Sequence, residues 1–149
     1  MTKVLCEQLD FEQDPLFERI ISDLMEQHYS LVPDYLGMAQ RTALREDLLR
    51  HYREDDFRKA AIGNQFNEQV RRTVRGDFIF WLDRNDTSGA CQRFWEKTDR
   101  LVAYLNRTCF LGIRESEFHF AVYPEGSFYK RHLDTFQNDD RRTLSLVCY

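Results

Sequence analysis

The first apolar pattern in the chain recurs at intervals of three and four residues, the spacing of one helix face. It follows Asp14-Pro15, a pair typical of a helix start because Asp caps free backbone N–H groups and Pro suits the first helical position. The pattern ends at His28, where a cation is mildly favoured by the helix dipole. It predicts a helix over residues 14–28.

Further helical spacing follows in three segments. Apolar residues over 38–53 predict a second helix. A short helical turn is predicted over 55–63, where Asp opens the segment and Gly closes it. Ser88 or Thr87 is suited to cap a third, long helix that is rich in aromatic residues and ends near Asn106.

The period changes to two in the later part of the chain. Residues 117–123 alternate an apolar face, which includes Phe120, with a mixed face that includes His119 and Tyr123. Similar runs predict three more strands, over 74–82, 128–134 and 142–149. Helices come first and strands last, without a regular alternation, so the order predicts an α+β domain with helices packed against a mainly antiparallel sheet.

The composition excludes several classes of protein. The 149 residues suffice for one domain, and contents of 42% apolar and 14% aromatic residues exclude a disordered chain. The net charge of −4, without a basic block interleaved with aromatics, argues against nucleic acid as a partner. No signal peptide and no apolar run of roughly 20 residues for a membrane span is found. The four cysteines are isolated, so reduced thiols in a cytoplasmic protein are expected.

Metal chemistry is indicated by one triplet, His132-x-Asp134. Residues two apart on a strand point to the same face, so this imidazole and this carboxylate can reach one ion. Such a pair supplies two of the three ligands in the two-histidine, one-carboxylate facial triad, which holds iron(II) and leaves positions open for oxygen chemistry. The triplet alone is a weak indication, since it more often means a hydrogen-bonded pair at the surface.

The context of the triplet is more specific, because several motifs surround it in a fixed order. They are Arg75-Gly-Asp77 with Trp81, Ala121-Val-Tyr-Pro-Glu-Gly126, Phe128-Tyr-Lys-Arg-His-Leu-Asp134, and Arg142-Thr-Leu-Ser-Leu-Val-Cys-Tyr149. This series resembles the iron(II)- and 2-oxoglutarate-dependent dioxygenases, specifically the prolyl 4-hydroxylase branch that includes oxygen-sensing enzymes. The resemblance covers residues 74–149, as the N-terminal part of the dioxygenase core, and residues 1–73 add a helical lead-in of the same domain.

The resemblance implies a fold and a reaction. The fold is a double-stranded β-helix, or jelly-roll, with N-terminal helices packed on it and the metal between its two sheets. The implied activity is that of an oxidoreductase with iron(II) as metal, 2-oxoglutarate as cosubstrate and L-ascorbate as a further cofactor. The implied substrate is a prolyl residue in a protein or peptide.

The resemblance also assigns site residues, motif by motif. The expected assignments are His132 and Asp134 as metal ligands, Tyr123 and Tyr149 as contacts of 2-oxoglutarate, and Tyr129 and Arg142 as contacts of the substrate. His119 shares the face of Tyr123 and is expected to line the same pocket, but it matches no ligand position of the family.

The resemblance stops short of a full metal site. Family members carry a second histidine ligand and a basic residue in strands beyond the position of Tyr149, whereas this sequence has no histidine after His132. An incomplete jelly-roll is therefore expected, in a chain that forms the N-terminal part of such an enzyme. Two alternatives stay open: a catalytically inactive remnant that binds a protein partner, and an unrelated α+β binding module with a chance triplet.

Overall fold

Three helices and a small antiparallel sheet make up the described part of the chain, which in this computed structural model comprises residues 12–59, 76–85, 88–132, 134 and 142–149. The elements are α1 (Pro15–Gln27), α2 (Met38–Arg53), β1 (Arg58–Lys59), β2 (Phe78–Trp81), α3 (Gly89–Cys109) and β3 (His119–Val122). This architecture agrees with the α+β prediction, while the two-sheet jelly-roll stays a prediction.

The helices begin where the capping residues of the sequence predict. Asp14 accepts hydrogen bonds from two backbone N–H groups of α1, at 3.0 and 3.4 Å, and His28 ends this helix in the left-handed conformation. Ser88 caps α3 by accepting from a backbone N–H at 3.3 Å. The helix α3 continues beyond the predicted end at Asn106, to Cys109.

The sheet has the order β1-β2-β3, and both pairings are antiparallel. In β1, Arg58 lies opposite Ile79. The predicted helical turn over 55–63 is therefore wrong in its described residues, because the backbone at 58–59 pairs with β2 instead of forming a helical turn. Residues 60–63 lie outside the described part of the chain.

A turn follows β3, and the described residues of the predicted strand 128–134, which exclude residue 133, do not form a continuous strand. The N–H of Ser127 donates to the carbonyl of Pro124 at 2.9 Å, and the carbonyl of Phe128 then accepts from the N–H of Gly76 at 2.9 Å. Because Val122 lies opposite Phe78, an uninterrupted ladder would place residue 124 opposite Gly76. The prediction of a separate strand is thus corrected: after the turn, Phe128 lies beside Gly76, at the place that residue 124 would take in an uninterrupted ladder.

The predicted strand 142–149 is also corrected, because its described residues pair with no neighbouring strand. Leu146 instead packs against the core between α1 and α3. Its neighbours are uncovered, with Val147 exposed at 68% and Tyr149 fully exposed. The segment is therefore held in place by one apolar side chain and by polar contacts, and not by pairing with a strand.

The core joins the helices to one face of the sheet. Its buried cluster consists of Phe17, Ile20, Leu101, Tyr104 and Leu105, all on α1 or α3. Phe118 extends the contact to the sheet, since its ring meets the rings of Phe94 and Trp95 edge-on at 4.9 and 4.8 Å. Over the described ranges, no helix has both the length and the apolar character of a membrane span.

Candidate metal centre

His132 presents one defined nitrogen to its surroundings. Its Nδ1 lies 2.7 Å from the carbonyl oxygen of Lys130, and because a carbonyl only accepts, Nδ1 carries the hydrogen of that bond. In the neutral ring, Nε2 is then the nitrogen with a free lone pair. The ring of Tyr129 stacks on the imidazole with centroids 3.5 Å apart and planes at 17°. The orientation of His132 is thus fixed by a hydrogen bond and by a stacked ring.

Asp134 faces that nitrogen with one carboxylate oxygen. Its Oδ1 lies 3.2 Å from Nε2 of His132, while Oδ2 accepts a hydrogen bond from the hydroxyl of Ser145. The backbone carbonyl of Asp134 accepts from the guanidinium of Arg142 at 3.2 Å. The His132 and Asp134 side chains keep 35% and 45% of their surface exposed, so the pair is open to solvent on one side.

The geometry of this pair fits a shared cation. In the neutral ring with Nδ1–H committed to Lys130, Nε2 of His132 and Oδ1 of Asp134 are both acceptors, and two lone pairs that face each other repel unless a proton or a metal ion lies between them. Nitrogen and oxygen ligands at right angles, each about 2.1 Å from a first-row divalent metal, are about 3.0 Å apart. The observed 3.2 Å between Nε2 and Oδ1 is close to that separation.

Four of the six expected site residues come together around this pair. Tyr129 lies directly on the imidazole of His132. Arg142 contacts the backbone of Asp134 and also pairs with Glu117 at 3.5 Å. Tyr129 and Arg142, which are expected to contact the substrate, therefore also contact His132 and Asp134.

The other expected residues are on or beside the sheet, or at the exposed end of the segment 142–149. Tyr123 follows β3 and is 49% exposed, and Tyr149 is fully exposed. His119 meets Trp81 edge-on, with ring centroids 4.8 Å apart. Their assignment to the 2-oxoglutarate pocket stays a prediction.

Sequence reasoning missed the groups that orient the two expected ligands, His132 and Asp134. These are the carbonyl of Lys130 and the hydroxyl of Ser145. A backbone carbonyl leaves no trace in the sequence. Ser145 can be noticed in the sequence, because it has the one aliphatic hydroxyl in the otherwise apolar run from Leu144 to Tyr149.

A second histidine-carboxylate cluster lies between α2 and the sheet. His51, Glu54 and Asp56 bring potential ligand atoms within 4.8 Å of one another. Nδ1 of His51 lies 2.7 Å from Asp56, and Nε2 lies 3.0 Å from the guanidinium of Arg50. Arg50 also pairs with Glu54 at 3.2 Å. Both ring nitrogens thus have partners, and the cation in this cluster is an arginine of the chain itself.

A buried carboxylate joins α2 to the start of α3. Asp47 accepts from the Ser88 hydroxyl at 2.5 Å, from the Cys91 thiol at 3.3 Å, and from Arg50. Burial acts to raise the pKa of Asp47, but the hydrogen bonds from these three donors outweigh it and hold the pKa below its ordinary value. Burial raises the pKa of the Cys91 thiol to about 11, so this thiol stays protonated at neutral pH.

Comparison with known proteins shows a similarity to a solved prolyl hydroxylase. No family model matches the sequence. The chain is similar to a Pseudomonas putida prolyl-4-hydroxylase of known crystal structure, with 35% sequence identity and a TM-score of 0.74. The match covers 86% of this chain and 63% of the other. The chain therefore has a prolyl-hydroxylase-like fold over the matched part and spans less than two thirds of that protein's length.

Proposed function

We propose that this chain carries the metal-binding part of an iron(II)- and 2-oxoglutarate-dependent dioxygenase that hydroxylates a prolyl residue in a protein or peptide. The observation that supports the metal site is the 3.2 Å separation of His132 Nε2 and Asp134 Oδ1, with the other imidazole nitrogen already committed to Lys130. The similarity to a prolyl-4-hydroxylase supports the reaction class.

Each residue of the site has a defined part in this proposal. Bound iron(II) would supply oxygen activation and the oxidative decarboxylation of 2-oxoglutarate, with L-ascorbate as a further cofactor. His132 offers a neutral nitrogen ligand, and Asp134 offers an anionic oxygen that offsets part of the metal charge. We assign the phenol groups of Tyr123 and Tyr149 to hydrogen bonds with 2-oxoglutarate, because a phenol O–H can donate to a carboxylate.

The number of ligands sets the expected affinity. The sequence has no histidine after His132 that could complete a two-histidine, one-carboxylate set. His119 is engaged with Trp81 on the sheet. With two protein ligands in place of three, we expect the chain to bind iron(II) or manganese(II) weakly.

Calorimetry with manganese(II), a redox-stable stand-in for iron(II), tests the site. We expect weak binding by the chain and none by His132→Ala or Asp134→Ala, because each variant removes one of two ligands. His28→Asn is the matched control: it removes another imidazole, at the end of α1, and Asn tolerates the left-handed backbone there.

Two results would separate the proposal from its alternatives. Manganese binding that survives in His132→Ala would contradict the assignment of the ligands. With two protein ligands in place of three, the chain alone is expected to form little succinate from 2-oxoglutarate. Succinate formation that is lost in Asp134→Ala would support the dioxygenase directly.

A further inference from the structure

The two oxygens of the Asp134 carboxylate have different partners. Oδ1 faces Nε2 of His132, whereas Oδ2 accepts a hydrogen bond from the hydroxyl of Ser145, eleven residues later in the chain. A hydrogen bond to one oxygen takes up one of its lone pairs and fixes the rotation of the carboxylate, so the other oxygen is the one directed at a metal. The hydrogen bond therefore distinguishes two oxygens that are chemically equivalent in a free side chain.

We infer that Ser145 is a positioning residue of the metal centre, which holds Asp134 so that Oδ1 alone is directed at the ion bound by His132. This inference rests on the proposed metal site. Without the hydroxyl, the carboxylate of Asp134 can rotate about its side-chain bonds, offer either oxygen, or offer both at once. An ion shared with His132 would then lose a ligand of fixed direction.

A second contact from the same segment supports this role. The guanidinium of Arg142 donates to the backbone carbonyl of Asp134 at 3.2 Å, three residues before Ser145. Arg142 also reaches Glu117, just before β3, at 3.5 Å. The segment 142–145 thus holds Asp134 at its backbone and at its side chain, while Lys130 and Tyr129 hold His132. Each of the two ligands has its own pair of supports.

The exposure of Asp134 makes such support necessary. Its side chain is 45% exposed, so packing against neighbours does not hold it in one rotamer. Ser145 is itself exposed, so its removal takes little packing from the fold. Groups that orient metal ligands typically change metal affinity by 10–100-fold when they are removed. The effect of a Ser145 substitution should therefore appear in metal binding rather than in folding.

The test uses four variants of the chain and two metal readouts. Ser145→Thr keeps the hydroxyl, Ser145→Val has nearly the shape of threonine without a hydroxyl, and Ser145→Ala removes the hydroxyl alone. Thr143→Val makes the same hydroxyl-to-methyl change at an exposed position of the same segment. Affinity is measured from the electron paramagnetic resonance of free manganese(II), and ligand geometry from the absorption spectrum of bound cobalt(II).

We expect Ser145→Ala and Ser145→Val to weaken manganese binding about tenfold and to change the cobalt spectrum. Ser145→Thr and Thr143→Val should retain the affinity and the spectrum of the unmodified chain. This pattern identifies the hydroxyl, rather than the volume of the side chain, as the group that matters.

Two different failures are distinguishable. If Ser145→Val binds manganese as the unmodified chain does, while His132→Ala does not bind, the role of Ser145 is refuted and the metal site stands. If the unmodified chain binds neither manganese(II) nor cobalt(II), the proposed metal site and the role of Ser145 are refuted together.

Discussion

Removal of the Asp47 carboxylate should loosen the junction of α2 and α3. The carboxylate accepts from Ser88, which also caps α3, and from the Cys91 thiol and Arg50. Asp47→Ala deletes all of these bonds at once. Asp47→Asn keeps an oxygen that can accept from Ser88, but it removes the negative charge.

The magnitude follows from the partners. A hydrogen bond to a charged acceptor contributes about 1.5–3 kcal/mol, which applies to the bond from Ser88 to the buried Asp47 carboxylate. Arg50 is half-exposed, so water screens its ion pair, and the thiol of Cys91 is a weak donor. Asp47→Ala should therefore lower the free energy of unfolding by about 2–4 kcal/mol, which corresponds to about 4–16 °C in Tm at roughly 2–4 °C per kcal/mol.

The same carboxylate predicts a dependence of stability on pH. Because the pKa of Asp47 is lower in the folded chain than in the unfolded one, the unfolded chain binds the proton more readily. The stabilisation is complete above the ordinary aspartate pKa of about 3.9 and is lost as pH falls through the folded-state value. Asp47→Asn should lack this part of the acid destabilisation.

Urea unfolding followed by the fluorescence of Trp95, which is buried in α3, measures both effects between neutral and acid pH. Glu46→Ala is the matched control, since it removes an exposed carboxylate from the adjacent position of α2. If Asp47→Ala and Glu46→Ala agree within about 0.5 kcal/mol, the usual effect of a surface substitution, the account of the junction is refuted.

Three further predictions concern the site, the core and the uncovered segment. Tyr129→Ala should weaken manganese binding because His132 loses its stacked ring, and Tyr129→Phe should not; equal affinities in calorimetry would contradict this. Leu105 is 1% exposed, so Leu105→Ala should lower the free energy of unfolding in urea by about 2–5 kcal/mol. A loss smaller than that of a surface substitution would contradict the packing of Leu105 in the core. The exposed Val147 and Tyr149 should make the chain self-associate, so light scattering should rise with concentration, whereas a monomer with a Tm well above about 60 °C would refute this expectation.

The features that the sequence predicted correctly are local ones. The starts of α1 and α3 depend on Asp14 and Ser88, whose side chains cap N–H groups within three residues. His132 and Asp134 lie 3.2 Å apart, as their spacing of two residues suggested, although the strand that was predicted to carry them does not form in its described residues. Because cause and effect lie within a few residues of each other, a single sequence contains enough information to predict them.

The features that were missed depend on contacts between distant segments. Residues 58–59 form a strand because β2 lies beside them, and their own spacing does not record that partner. The turn after β3 is inserted into a ladder whose register is set by β2. Ser145 reaches Asp134 across eleven positions, so only the folded chain identifies it as part of the site.

The arginine within the second histidine cluster bears on how many ions one chain can take up. Nε2 of His51 already accepts from Arg50, which also neutralises Glu54. An incoming metal would have to displace a covalently tethered cation whose local concentration never falls, whereas the His132–Asp134 pair has no such competitor among the described contacts. We therefore expect one metal ion, bound at the proposed His132–Asp134 site, for the two histidine-carboxylate groups together.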